Sequence, residues 1–444
     1  MRIFDKARQV AGSFTGDRSG NFAMLTGVIA SMLMLSVGLG VNVAQSYQLK
    51  SSLQNALDAA VTSTARDLTT GAIEPEEARK MVEAFLGVNS DAKFATTEQF
   101  VLEKLVIDKT ARTIEATASA NVNLAFPFFS TKDPRVSISS AAVYSDKTIE
   151  VAMMLDVTGS MAPNQWSDKI GDLRDAAEDA VKRLLDGQNQ DNPRVRVAIV
   201  PYSDAVNAGA LAEYVHYETQ FTKKDPPAYT GVHAVALSDR HDNCATERKG
   251  THQFTAVGPN VAMVNRDSRL QFCPKAELHP LTADADALID TIGKFEPAGH
   301  TAGHIGIQWT RYLLSDSWAD YLPEGSRPEP RDEKKVAKIA ILMTDGEFNT
   351  AFANVAKDAT VTNQPAKSRS KAERLCDAMK KSDKIEIFTI GFMLNQMSAK
   401  QVLKNCSSPD TSSVQHYYEA ADGEALDAAF DAIIKNIERL ALTK

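Results

Sequence analysis

Hydrophobic and polar positions follow three rhythms along the chain, and each predicts a different kind of element. From Ser19 to Leu49 there is no Asp, Glu, Lys or Arg, and Phe22 to Ala44 reads FAMLTGVIASMLMLSVGLGVNVA. These 23 residues, as a helix, rise about 34 Å, enough to cross a hydrocarbon core of roughly 30 Å. A soluble helix this long would carry charge on one face. A cleavable signal peptide, the rival reading, would have a shorter apolar run closed by an A-x-A site. A transmembrane helix over 22–44 is therefore expected. Beyond it Leu49, Leu53, Ala56, Leu57, Ala60, Val61, Ala65 and Leu68 recur at three- and four-residue spacing, so the helix continues as an amphipathic stem.

A second helix is predicted near Pro75 in EPEEARKMVEAFLG, with acids in its first turn and Gly87 near its end. Strand-like runs follow at Phe100 to Ile107, Thr113 to Phe126 and Arg135 to Tyr144, and the alternation Thr113-Ile114-Glu115-Ala116-Thr117-Ala118 predicts a sheet with one wet face. Residues 45–146 thus read as a small α+β module with a structural or interaction role.

From 147 to 444 strands and helices alternate. Ile149 to Leu155 is almost continuously apolar, as a parallel strand covered on both faces must be. A helix from about Trp166 to Leu185 follows, then strands at Val195 to Val200, Ile339 to Met343, Ile385 to Ile390 and Gln415 to Tyr418, and a last helix from Glu424 to Leu440. The expected fold class is α/β: one N-terminal transmembrane helix, the small α+β module, then a doubly wound, mostly parallel sheet with its site at the strands' carboxyl ends. Between Ser203 and Leu281 the alternation fails, and 203–281 reads as an insertion on the α/β scaffold.

Composition narrows the classes. At 43% hydrophobic and 24% charged residues the chain is an ordinary globular one. Its net charge of −8 argues against nucleic-acid binding through bulk positive charge. Residues 1–21 carry Arg2, Lys6, Arg8 and Arg18 against Asp5 and Asp17, whereas Lys50 stands alone just past the span. The positive-inside rule puts this short tail in the cytoplasm and the rest outside, as a single-pass membrane protein. Gly38-Leu39-Gly40 lies at membrane depth, where small residues permit close helix contact.

The candidate chemistry sits at two strand ends. LDVTGSM (Leu155 to Met161) places Asp156 at the end of a strand and the hydroxyls of Thr158 and Ser160 on the next turn. ILMTDGE (Ile341 to Glu347) places Asp345 equivalently, and PAGHTAGHIG between them offers Thr301 in a glycine-flanked loop. A hard divalent cation takes about six oxygens. One carboxylate and two hydroxyls fill half that shell with a single negative charge, leaving the metal free to take a carboxylate from a partner protein.

Asp156, Thr158, Ser160, Thr301 and Asp345 resemble the metal-ion-dependent adhesion site of von Willebrand factor A domains. The resemblance implies Mg²⁺, with Mn²⁺ or Ca²⁺ as alternatives. Thr158 and Ser160 would bind it directly, Thr301 directly or through water, and Asp156 and Asp345 would hold metal-bound waters. The family's usual serine is replaced by Thr158, which keeps the hydroxyl. The whole chain is similar to TadG-like proteins of the tight-adherence (Flp) pilus, whose N-terminal region is shared with TadE-like pseudopilins. Asp17-Arg18-Ser19-Gly20-Asn21-Phe22-Ala23 and Leu53-Gln54-Asn55-Ala56-Leu57-Asp58-Ala59-Ala60 carry that likeness. It implies a role in building or anchoring pili, or in adhesion, and a bacterial inner membrane with the bulk of the chain periplasmic or exported. No Gly-x₄-Glu-Tyr prepilin-peptidase signal occurs, so an uncleaved anchor is expected.

Four cysteines allow three pairings. The local ones, Cys244–Cys273 and Cys376–Cys406, are expected, with free buried thiols as the alternative. His300 and His304 flank Thr301 without the Glu of H-E-x-x-H, and beside Gly299 and Gly303 they read as exposed loop histidines rather than a zinc pair. Trp166, Trp309 and Trp318 read as core or rim aromatics, and Asp284 to Asp290 as a helix face. The chain lacks G-x-S-x-G, G-x₄-G-K-[ST] and a strand-linked G-x-G-x-x-G. No enzyme, no small-molecule substrate and no nucleic acid are expected. The alternatives are a pilus scaffold with an inert A domain and, last, a metal-dependent hydrolase.

Overall fold

The structure is a computed structural model that describes residues 21–70, 72–88, 100–109, 112–122, 124–126, 135–144, 147–188, 190, 193–218, 224–231, 242–333 and 335–443. The basic tail, including Asp17 to Gly20, lies outside them. Two compact units form: Met1–Ala65 with Pro75–Val143, and Arg66–Glu74 with Tyr144–Lys444.

Helix α1 (Asn21–Thr70), whose residues up to Ala65 belong to the first unit, is one unbroken element of 50 residues. Among the described residues it is the one helix long and apolar enough to cross a membrane. The three hydroxyls of its apolar stretch are satisfied within the helix: Thr26 donates to the Phe22 carbonyl at 2.8 Å, Ser31 to Val28 at 2.9 Å and Ser36 to Met32 at 2.9 Å. None of them then needs water, as a lipid-facing surface requires. Leu33 is exposed near the middle of this stretch. Leu33→Arg should raise the cost of insertion by about 3 kcal/mol and shift the chain out of the alkali-resistant membrane fraction; a variant that stays there would rule out this span.

The stem positions Leu49, Leu53, Ala56, Leu57, Ala60, Val61, Ala65 and Leu68 are all buried, so the three- and four-residue spacing marks an inward face. Helix α2 (Ala78–Val88) starts later than Pro75, behind a turn, and buries Ala78, Val82 and Leu86. Strands β1 (Val101–Asp108), β2 (Thr113–Asn121) and β3 (Arg135–Val143) form an antiparallel sheet in that order. Ile114, Ala116 and Ala118 of β2 face inward while Glu115 is exposed. Strand β2 ends at Asn121 rather than Phe126, because the chain beyond it turns to α1: Asn42 Nδ2 donates to the Phe126 carbonyl at 2.8 Å and its Oδ1 accepts from the Phe126 N–H at 3.1 Å.

The second unit is the doubly wound α/β architecture that the A-domain resemblance implies. Its elements run β4 (Thr148–Asp156), α3 (Lys169–Leu185), β5 (Val195–Tyr202), β6 (Val206–Asn207), β7 (Val215–Glu218), β8 (Cys244–Ala245), β9 (Val264–Asp267), β10 (His279–Thr282), α4 (Ala285–Gly293), α5 (Gly303–Leu313), β11 (Val336–Thr344), α6 (Pro365–Lys381), β12 (Glu386–Phe392), α7 (Met397–Cys406), β13 (Tyr417–Ala420) and α8 (Gly423–Thr443). The main sheet has the order β13-β12-β11-β4-β5-β6-β8, with β10 also pairing β5. From β13 to β5 every pairing is parallel; β6, β8 and β10 join antiparallel.

The continuous apolar runs follow from this layering, because alternate residues of one strand serve different cores. Val151, Met153 and Leu155 pack with α3, α4 and α8, whereas Ala152 and Met154 pack with α5, α6 and the 203–281 segment. Helix α3 begins at Lys169 rather than Trp166, because Asp168 caps it by accepting the Gly171 N–H. Cys244–Cys273 and Cys376–Cys406 are both bonded. The first ties β8 to the segment before β10, and the second ties α6 to the end of α7.

Candidate metal centre

Strand order fixes where the polar groups gather. The connection after β4 leads to β5 on one side and the connection after its other neighbour, β11, leads to β12 on the opposite side, so the crevice of the sheet opens between the carboxyl ends of β4 and β11. Asp156 is the last residue of β4 and is fully buried. Its Oδ1 accepts the Thr158 N–H at 2.9 Å, which closes the turn carrying both hydroxyls. Its Oδ2 accepts from Tyr202 Oη at 2.9 Å and Thr344 Oγ1 at 2.7 Å, the terminal residues of the two flanking strands. Strand ends thus hold the carboxylate in one orientation.

The other groups meet beside it. Thr158 Oγ1 and Ser160 Oγ lie 2.9 Å apart, and Ser160 Oγ donates to Asp345 Oδ1 at 2.6 Å across 185 residues of sequence. Lys169 Nζ sits 2.7 Å from Asp345 Oδ2. The Thr301 loop is lashed to the first turn by Ala298 N–H to Val157 O and Gly159 N–H to Gly299 O, both 3.0 Å. Thr301 N–H donates to Asn349 Oδ1 at 2.9 Å. A Cβ added to Gly346 would lie 3.5 Å from Ser160 Oγ and 3.8 Å from Thr301 Oγ1, so Thr301 and Ser160 offer their hydroxyls to the same space. All five residues of the sequence motif therefore converge. Gly299 makes the convergence possible: at φ +79° a side chain is strained, and its Cβ would meet Asp204 and Phe272 at 2.8 Å.

Burial pushes the Asp156 carboxyl up to about 6, and the Asp345 charge adds to the rise against the hydrogen bonds from Thr158 and Thr344. A folded state that prefers the protonated form is most stable, as far as this group goes, below the unfolded value of about 3.8. It loses roughly 3 kcal/mol as pH climbs to about 6. A divalent cation bound at the site would offset that loss. Stabilisation of the full chain by Mg²⁺ over EDTA should therefore grow between about pH 4 and about pH 6.5, and a pH-independent difference would count against the site.

The donor set suits a hard cation: two carboxylates, three hydroxyls, no thiolate and no imidazole. Oxygens in want of a partner lie beside it. Ser203 Oγ and Asp204 Oδ2, on the turn after β5, are buried without a hydrogen bond among the described residues. Asp204 Oδ1 takes the His300 N–H, next to Thr301, and burial raises its carboxyl above the ordinary range. The residues present fit Mg²⁺, Mn²⁺ or Ca²⁺.

Sequence reasoning missed Lys169 and Asp204. Lys169 left a signal, since a cation in a helix's first turn opposes the macrodipole and calls for an acid elsewhere. Asp204 lies just past the carboxyl end of the parallel strand β5, as Asp156 lies at the carboxyl end of β4. One expectation is corrected. His304 is not an exposed loop residue but a buried one on α5, with Nε2 3.2 Å from Glu247 Oε2 and Nδ1 2.9 Å from Ser368 Oγ. Gly303 opens that helix because it packs on Phe348, whose ring would lie 2.1 Å from an added Cβ. His300, half-buried, lies edge-on to Phe272 with centroids 5.8 Å apart. Trp309 and Trp318 are core residues and Trp166 is exposed.

Residues 20–67 match the family model described as "Putative Flp pilus-assembly TadE/G-like". Over that stretch the chain is similar to TadE/G-like sequences. No curated protein matches it. Among solved structures, it aligns with the pilus adhesin SpaC of Lactobacillus rhamnosus GG at 14% identity and TM-score 0.37, covering 79% of this chain and 37% of that one. The vWF domain of the type V pili tip protein Mfa5 of Porphyromonas gingivalis aligns at 14% identity and TM-score 0.38, with 67% and 97% covered. The PilB minor pilin of Streptococcus sanguinis aligns at 13% identity and TM-score 0.37, with 78% and 79% covered. The chain spans about a third of SpaC's length, and at these scores the likenesses assign no residue a role.

Proposed function

We propose that the chain is a membrane-anchored, metal-dependent protein–protein contact module that serves the assembly or anchoring of Flp-type pili, or adhesion. The observation that carries this reading is the meeting of Ser160, Thr158, Asp156 and Asp345 at one strand-end crevice, within hydrogen-bond reach across 185 residues, with the Thr301 hydroxyl opening to the same space. The match over residues 20–67 supplies the pilus context, and α1 supplies the anchor. In this reading the tail is cytoplasmic, the remainder lies in the periplasm, and Mg²⁺ leaves one coordination position for a carboxylate on a pilus-system protein. The role is non-enzymatic.

Crosslinking in cells, with and without chelator, tests it. The wild type should capture a partner that is lost with EDTA and lost in Asp345→Ala, and capture indifferent to both would sink the proposal. One observation favours a second reading with an inert A domain. Lys169 and Ser160 already occupy both oxygens of Asp345, so protein groups alone balance that carboxylate. In that case deleting residues 147–444 leaves pilus formation unaffected.

A further inference from the structure

Among the described residues of the second unit, four large apolar side chains are exposed: Trp166, Val261, Phe272 and Met397. Scattered exposed apolar residues are ordinary, but concentrated ones mark interaction sites. Three of these four sit on segments fastened to the candidate metal loops. Val261 alone belongs elsewhere, on the turn after Gly258, which packs against Ser317 and Tyr321 beyond the far end of α5.

Trp166, 86% exposed, lies on the loop between Ser160 and Lys169, the two residues that contact Asp345. The loop is closed on itself, because Asn164 Oδ1 accepts the N–H groups of Trp166 at 2.8 Å and Ser167 at 3.1 Å. The indole is therefore presented by a fixed turn. Phe272, 41% exposed, precedes Cys273 of the first disulfide and leans on His300, the neighbour of Thr301. Met397, 74% exposed, opens α7, where the next residue, Ser398, donates to Glu347 Oε1 at 2.7 Å, two residues past Asp345. Separate insertions and loops thus converge on one pole, each bringing a bare apolar group.

We infer that this pole is a composite docking surface for a protein segment that presents a carboxylate flanked, within two residues on either side, by large apolar side chains. The inference deepens the proposed function and rests on it: the metal takes the acid, and Trp166, Phe272 and Met397 take its neighbours. Charge complementarity argues for an acidic occupant. A divalent cation held by the neutral hydroxyls of Thr158 and Ser160 keeps its preference for an anionic oxygen, and the Lys169 ammonium at Asp345 adds positive charge beside it. The rim argues for apolar neighbours on that occupant, because Phe272 and Met397 present exposed apolar area and no hydrogen-bond donor.

The test uses the full chain in lipid nanodiscs with Mg²⁺. The readout is iodide quenching of Trp166, since Trp309 and Trp318 are fully buried. Two synthetic pentapeptides carry a central aspartate, one flanked by leucine and phenylalanine, the other by serine and glycine. The apolar-flanked peptide should bind about tenfold tighter, and the double variant Phe272→Ser, Met397→Ser should erase that preference while Mg²⁺ binding, followed by thermal shift, is unchanged. Equal affinities in the wild type, a preference retained by the double variant, binding of neither peptide, or equal competition by a maltooligosaccharide would each overturn the inference. The metal is read apart. A flanking preference that persists in EDTA and in Asp345→Ala would uphold the apolar rim and overturn the cation as its centre.

Discussion

Glu247→Ala should destabilise the second unit by about 3–5 kcal/mol, the cost of leaving a buried charge without its partner. Glu247 is fully buried between the 203–281 segment, α5 and α6. It lies 2.8 Å from Lys371 Nζ and 3.2 Å from His304 Nε2, and it accepts the backbone N–H groups of Phe352 at 2.8 Å and Ala353 at 2.7 Å. Burial alone would raise its carboxyl, but Lys371 and His304 override burial and hold it well below the ordinary glutamate range. Alanine strands the Lys371 ammonium in the interior and frees two backbone donors. Glu247→Gln keeps the shape without the charge and should fall between. All three tryptophans lie in this unit, so urea unfolding followed by tryptophan fluorescence reads it alone. A loss below about 1 kcal/mol would show the cluster to be dispensable. The effect should also reach the crevice. The loop that Glu247 pins at Phe352 and Ala353 includes Asn349, whose side chain holds Thr301, so the variant should bind cation more weakly even where it remains folded.

What could be read in the sequence divides along a physical line. Strands β4, β5, β11 and β12 were legible because a parallel strand covered on both faces must be apolar at nearly every position, and no tertiary knowledge is needed to see that. The stem face of α1 was legible for the same kind of reason, through helical period. Asp156, Thr158, Ser160 and Asp345 were legible because strand ends in a doubly wound sheet necessarily converge. Strands β6, β8 and β10 were not: two to four residues are too few to display a period, and they exist through edge pairing. Lys169 against Asp345, Asp204 beneath His300, and Glu247 with His304 and Lys371 are pairings between distant segments that leave almost no local trace. His304 was misread for a related reason. Gly303 can signal a loop or a close approach, and only the position of Phe348 decides between them.

Asp345→Ala should abolish stabilisation by cation and change little else, and that asymmetry separates a metal centre from a structural cluster. At a concentration of about a hundred times Kd, a cation that binds only the folded chain adds about 2.7 kcal/mol, which for a unit of this size raises Tm by about 5 °C. In Asp345→Ala the rise should vanish, because the shell loses a carboxylate and Asp156 alone must balance two positive charges. In EDTA the variant's Tm should stay within about 2 °C of wild type. The partners that Asp345 releases are cheap to release: Ser160 is exposed, and the Lys169 side chain is partly so, so both recover water. Removing the Asp345 charge also relieves Asp156, whose raised carboxyl owes part of its rise to that neighbour. If the crevice were an internal ion-pair cluster, the result would invert: Mg²⁺ would leave the wild type unmoved, and Asp345→Ala would melt early in EDTA through the loss of the Lys169 and Ser160 contacts. Two melting curves for each protein, with and without Mg²⁺, distinguish these outcomes, because in each comparison one reading predicts a shift and the other predicts none.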